Sequence, residues 1–355
     1  MIVKPELAAR AVGTPPPTAR SAVRPRPGRT ALVLVVALVV LAAACLGSLA
    51  VGSKVTPIPD VLAALTSAPD PYLRAVLDSR IERTLLAVAI GAALAIAGAL
   101  MQGVTLNPLA DPGLLGVNAG AAAALVTGSA FFGIAAHSPL SVWLALIGAG
   151  CAALVVYVVG TAGDTGASTV RLVLAGAVVA AILTAYVQAV ALRMPRHFDN
   201  YRYWVVGSIG DGGLDQLRLV LPHLVLGLLV ALATANGLNA LALGREAATG
   251  LGAHTTGIRA AALLAATLLS ASATAAVGPI AFVGLAVPHI VRALVGLDAR
   301  HQLITALLVG PTVLLVADLI GRVLLRPQEL MVGVVTAFVG APVLLLAVRR
   351  LGGRR

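Results

Sequence analysis

The chain has 355 residues, of which 59% are hydrophobic and 11% charged, and its net charge is +11. Soluble domains carry about 25% charged residues, and a chain with a mean hydropathy of +0.99 lacks the polar surface to cover a globule. These values exclude soluble, disordered, collagen-like and disulfide-stapled chains and predict an all-α membrane protein, a polytopic bundle of about ten transmembrane helices.

The positive charge does not indicate a nucleic-acid partner. Only Lys4 and Lys54 are lysines, and ten of the 25 basic residues sit at the two ends of the chain. Lys4, Arg10, Arg20, Arg24, Arg26 and Arg29 precede the first apolar run, and Arg349, Arg350, Arg354 and Arg355 follow the last. Basic flanks of this kind hold both termini in the cytoplasm, and the expected surroundings of the rest are membrane lipid.

In chain order, residues 1–29 contain Pro15, Pro16, Pro17, Pro25 and Pro27 and no apolar run. They predict a disordered cytoplasmic tail. Apolar runs follow at 30–51, 84–102, 114–134, 139–160, 170–192, 216–236, 258–277, 280–297, 303–323 and 331–348. A run of about 20 residues crosses a ~30 Å hydrocarbon core. Residues 30–350 therefore predict one ten-helix domain, with 351–355 as a basic cytoplasmic end. Ala42-Ala43-Ala44-Cys45 loosely resembles a lipoprotein cleavage box, but the apolar run continues past it and more spans follow, so cleavage is not expected. An even number of spans returns the chain to its starting side, in agreement with the basic ends. The segments 52–83, 135–138, 193–215, 278–279 and 324–330 then lie outside. The segments 103–113, 161–169, 237–257 and 298–302 lie inside. Ala92-Ala93, Gly98 and Gly176 are expected to let helices approach closely.

Chemistry-bearing patterns are few. No phosphate-binding Gly-x-x-x-x-Gly-Lys loop is present, so the chain has no ATPase site of that kind. Cys45 and Cys151 lie in apolar runs, the six histidines are dispersed, and neither a metal site nor a cofactor is expected. Polar groups inside spans are costly and so are candidate sites: Gln102, His289 beside Pro288, and Asp318 with Arg322 four residues on. The last pair reads equally as a structural ion pair. Arg80 and Arg83 share a helical face just outside the second span and suit acidic groups of a partner, or lipid headgroups. Asn107-Pro108-Leu109-Ala110-Asp111-Pro112-Gly113 breaks the chain between helices. The loop 237–257 is apolar and glycine-punctuated, suiting either a docking surface or packing beneath the bundle.

Several stretches in the same order resemble the cobalamin and ferric-siderophore importer permeases, the FecCD type of ABC-importer subunit. They are Arg80-Ile-Glu-Arg83, Gly98-Ala-Leu-Met-Gln102, Asn107 to Gly120, Gly278-Pro-Ile-Ala-Phe282 through Pro288-His289 to Arg292, and Ala317-Asp318 through Arg322 and Glu329 to Pro342. The resemblance implies a permease that pairs with a second permease subunit, as a homodimer or a heterodimer. Two cytoplasmic ABC ATPases and an extracytoplasmic substrate-binding protein complete such a machine. It further implies docking of the binding protein at Arg80, Arg83 and Arg322, and a cytoplasmic gate at Asn107, Pro108 and Leu109. Coupling to the ATPase is implied at Gly244, Glu246, Ala248, Gly250 and Gly252. The expected cargo is a ferric siderophore crossing the cytoplasmic membrane, with haem or cobalamin as the alternative. A proton-coupled secondary transporter using Asp318 is the rival mechanism. Glu82 stands where the family commonly has proline, and is expected to add a negative charge to the docking patch.

Overall fold

A computed structural model describes residues 27–52, 56–61, 70–135, 138–162, 169–195, 201–202, 204–210, 212–326 and 328–352. Of the expected tail, 1–26 lie outside the described residues, as do 353–355 at the other end; Pro27 to Arg29 begin a helix instead. Proline suits that first turn because its missing N–H would be unpaired there in any case.

The helices are α1 (Pro27–Ala50), α2 (Pro71–Thr105), α3 (Val117–Phe132), α4 (Pro139–Thr161), α5 (Thr169–Arg193), α6 (Leu214–Leu241), α7 (Arg245–Gly250), α8 (Thr255–Val277), α9 (Val283–Val295), α10 (Ala299–Leu324) and α11 (Val332–Gly352). All but α7 correspond to one of the ten apolar runs. Seven of them are long and apolar enough to cross a membrane. The chain is therefore a multi-pass, all-helical membrane protein.

α2 is the core helix. It has 35 residues, 78% of its apolar window is buried, and it packs against α10, α8, α9 and α6. Its first turns, 71–83, lie in the segment expected outside the second span, where only Arg80 and Arg83 were placed on a helical face. They are helical, extending α2 past the apolar run. α1 is peripheral: 6% of its window is buried, and it touches α10, α2 and α9.

The connections separate onto two ends of the bundle. At one end Arg83 meets Asp318 and Glu329, and Gly207 accepts the Gly333 N–H while Ser208 donates to Val277. At the other end Asn239 meets Asp298 and Gly103 lies against Leu238. The alternation expected from the apolar runs requires this grouping.

Two runs read as full spans are not continuous helices. α3 has 16 residues and α9 has 13, about 24 Å and 20 Å of helix against a ~30 Å core. The chain before each is non-helical or 3-10. Residues 112–115 form a 3-10 turn closed by Gly116 at φ 73°, and Leu114 lies against Gly176 in α5. Residues 278–282 run from Gly207 at the Arg83 end inward to Gly340 of α11, where Phe282 packs. Broken backbone at membrane depth is tolerated where protein covers it.

The breaks depend on close helix approach. A Cβ on Gly98 would overlap the backbone of Gly284. The Gly284 carbonyl is the one that Pro288 leaves without its i+4 amide donor, and it faces Gly98 at close range. Gly120 and Gly148 meet similarly between α3 and α4, as do Gly91 and Gly310 between α2 and α10.

Candidate functional sites at the two ends of the bundle

At the Arg83 end, the last turn of α1 exposes four carbonyls that no helical amide can reach. Each finds a donor. Gly47 accepts from the Val51 N–H and Ala50 from the Thr56 N–H. Ser48 accepts from Arg322 at 2.9 Å and Leu49 from Arg80 at 2.7 Å. Arg322 also donates to the Val51 carbonyl and to the Ser48 hydroxyl, and Arg80 to the Thr56 hydroxyl. Positive side chains at a helix C-terminus are further favoured by its dipole.

The three arginines expected to dock the binding protein differ in exposure. Arg322 is 2% exposed and Arg80 is 8% exposed, and both are engaged with the end of α1. Arg83 is the most accessible of the three. Its guanidinium binds Asp318 at 2.7 Å and Glu329 at 2.7 Å. Asp318, itself buried, pairs with Arg322 through its other oxygen. The i,i+4 pair expected from sequence therefore forms, with Arg83 as a third member. Arg80, Arg83 and Arg322 line a cavity of about 370 Å³ together with Glu329, Tyr72 and Gly52. Glu82 is not among its walls. Its carboxylate lies against Gly213, the N-cap residue of α6, where the helix dipole favours it.

At the opposite end, α2 stops at Leu106, which takes a left-handed φ of 51°. Asn107 then closes a tight turn, its side-chain oxygen accepting the Leu109 N–H at 3.0 Å. Asp111 continues it by accepting the Gly113 N–H at 2.8 Å. A Cβ on Gly284 would lie 3.2 Å from the other oxygen of Asp111, so this turn abuts the N-terminus of α9. Gln102 ties the same two elements together: its amide donates to Leu285 at 3.2 Å, and its oxygen accepts from Arg292 at 2.8 Å. His289 Nδ1 also faces the Leu285 carbonyl, at 2.9 Å. Gln102, Pro108, Asn239, Arg292 and Gln302 line a cavity of about 210 Å³. Gln102 and His289 are thus joined through Leu285, and Asp318 is at the far end of the bundle.

The predicted coupling loop contains one short helix. α7 starts after Gly244 at φ 97° and is followed by Gly252 at φ 77°, values that only glycine adopts at little cost. Ala248 is fully buried and pins α7 to the bundle, whereas Leu243 is 64% and Leu251 is 70% exposed. Glu246 is exposed and Gly250 stands in open space. Asp298 caps α10, its side chain accepting the Arg300 N–H. Burial acts to raise its carboxyl, but hydrogen bonds from Asn239 and the Arg300 N–H, with His301 alongside, outweigh this and hold it below the usual carboxylate range.

Sequence reading missed one feature. Ala177, Ala181, Thr184 and Gln188 form an exposed i, i+4, i+7, i+11 stripe on α5. The signal was present, because Thr184 and Gln188 are polar residues in an otherwise apolar run. No group of three His, Cys, Asp or Glu among the described residues is placed to hold a metal ion.

Comparison with known proteins identifies relatives over most of the chain. The FecCD transport family model matches residues 38–350. The ferric enterobactin transport system permease protein FepD of Escherichia coli is 45% identical over 305 residues, covering 85% of this chain and 90% of FepD. The Fe(3+)-citrate import system permease protein YfmD of Bacillus subtilis is 37% identical, covering 76% of this chain and 80% of its own. A solved inward-facing conformation of a metal-chelate type ABC transporter shares the fold with a TM-score of 0.78 at 24% identity, over 90% of this chain and 99% of that one. With a family match across nearly the whole bundle and a relative this similar over most of both chains, the chain belongs to the FecCD transport family.

Proposed function

We propose that this chain is the transmembrane subunit of a binding-protein-dependent ABC importer that carries a ferric siderophore across the cytoplasmic membrane. ATP hydrolysis in a partner subunit drives the transport. The observation that carries this reading is a division of labour along one rigid helix pair. α2 and α10 present an arginine-lined cavity at one end, while α2 ends in the Asn107 turn and α10 starts at Asp298 at the other, about 28 Å away along α2 from Arg83 to Gln102.

In this reading the arginine end is extracytoplasmic and both termini are cytoplasmic. An acidic side chain of the substrate-binding protein enters the cavity and meets Arg83, over a floor formed by Arg80 and Arg322. Inside, α7 with Gly244, Glu246, Ala248, Gly250 and Gly252 couples to one of two ABC ATPases, and Asn107, Pro108 and Leu109 form the gate beside it. ATP binding shifts the population between outward- and inward-facing bundles by contacting one state differentially. A second permease subunit faces the stripe of Ala177, Ala181, Thr184 and Gln188. Its polar members are costly against lipid and favourable against a water-filled path. The names of the relatives support an iron chelate as cargo. A proton carrier centred on Asp318 is disfavoured, because both carboxylate oxygens are engaged by guanidinium groups.

Uptake of radiolabelled ferric siderophore by cells expressing the chain with its ATPase and binding protein tests the reading. Glu246→Arg and Arg83→Glu are each expected to cut uptake, normalised to the permease present in the membrane, by about tenfold or more, as one rim or interface charge reversal costs a kcal/mol or several. Wild-type uptake by both variants contradicts the assignment of the two ends.

A further inference from the structure

Asp318 is 1% exposed, yet each of its oxygens belongs to a different arginine. One is held by Arg83, which borders the outer cavity with a side chain 17% exposed. The other is held by Arg322, whose remaining bonds go to the Ser48 and Val51 carbonyls and the Ser48 hydroxyl at the end of α1. An unbroken chain of charge-assisted contacts therefore runs from the cavity through Arg83, Asp318 and Arg322 to α1. Along most of its length α1 is little buried, but its last turn is held. Arg80 and Arg326 add bonds at Leu49, Ala50 and Gly52, the Ser48 hydroxyl also meets that of Thr84, and Ala50 packs with Val61 and Leu77.

A carboxylate arriving in the cavity meets Arg83, three of whose five N–H groups are already given to Asp318 and Glu329. A further negative charge on the guanidinium draws it towards the cavity and weakens its hold on Asp318. Asp318 is buried and loses a hydrogen-bond partner it cannot replace with water.

We propose that Asp318 is a positioning residue that transmits docking to α1. When an acidic side chain of the docked protein takes over Arg83, Asp318 is left to Arg322 alone. The grip of Arg322 on the last-turn carbonyls of α1 is then redistributed. This rests on the docking reading above, and the test separates the two.

The complete transporter, with its ATPases, is placed in lipid nanodiscs. Binding-protein affinity is measured alongside hydrogen exchange of residues 46–52, with and without the binding protein. In the wild type, docking is expected to change exchange in this segment by about threefold or more, a local opening effect. Asp318→Asn is expected to keep docking within about tenfold and to lose the exchange response, while Asp318→Glu restores it. Should Asp318→Asn fail to assemble, Ser48→Ala removes one Arg322 acceptor, and a weakened response is expected. Wild-type exchange that is the same with and without bound protein overturns the proposal, as does an undiminished response in Asp318→Asn. Absence of binding by the wild type is read in the affinity arm. It overturns the docking reading and the proposal together.

Discussion

Replacing Gly98 with valine is expected to leave little folded protein in the membrane. The Gly98 Cα lies against the Gly284 backbone, and even a single Cβ would overlap the Gly284 carbonyl. Neither neighbour can yield cheaply. α2 is held on four sides by α10, α8, α9 and α6, and α9 is fixed by the Gln102 bonds to Leu285 and Arg292. Overpacking a dense interior costs about 3 kcal/mol or more when backbone must move, a large part of the 5–15 kcal/mol typical of whole domains. The readout is the amount of monodisperse protein after detergent extraction, compared with Gly150→Val. A Cβ at Gly150 meets nothing within 4 Å, so that variant is expected to extract like wild type. Equal yields from both variants contradict the packing account.

Leu243→Asp with Leu251→Asp is expected to abolish ATP-driven uptake while leaving the bundle folded. The two leucines flank α7 and are largely exposed, whereas Ala248 between them is fully buried. The helix is thus anchored by one residue and presents two others. Burying a leucine against a partner is worth about 1.5–3 kcal/mol. Losing two is therefore expected to weaken ATPase association by about 10²- to 10⁴-fold. Co-purification of the ATPase with the doubly substituted permease reads this directly. Undiminished co-purification would place the ATPase elsewhere.

The helices were legible in the sequence because each spanning helix is announced by an apolar run, and α4 and α8 fall within a few residues of theirs. Gly98 and Gly176 were legible as sites of close approach, and they touch Gly284 and Leu114 respectively. The half-length of α3 and α9 was not legible. The run 280–297 is apolar enough to be read as one span; Gly278-Pro279 and Pro288 interrupt it in sequence, but nothing there records that Phe282 turns left-handed at φ 69°. The apolar run marked only 84–102 of α2: the charges of 71–83 end the run but not the helix, because an exposed helix tolerates them.

The arginines show a subtler limit. Spacing puts Arg80 and Arg83 on one face and Asp318 near Arg322, and both hold. Spacing cannot say that Arg80 and Arg322 turn inward, because the carbonyls they bind belong to α1, some 30 and 270 residues away in sequence. Glu82 was expected among them for the same reason. It reaches the N-terminus of α6 instead, a partner that only the fold brings near.

The measurement that tests the central claim most directly is siderophore uptake into proteoliposomes containing this permease, its ATPase and its binding protein. The account predicts accumulation of ferric siderophore that requires ATP inside the coupling compartment and stops when the ATPase is omitted. Accumulation without the ATPase that follows an imposed proton gradient would contradict it and make the chain a secondary transporter.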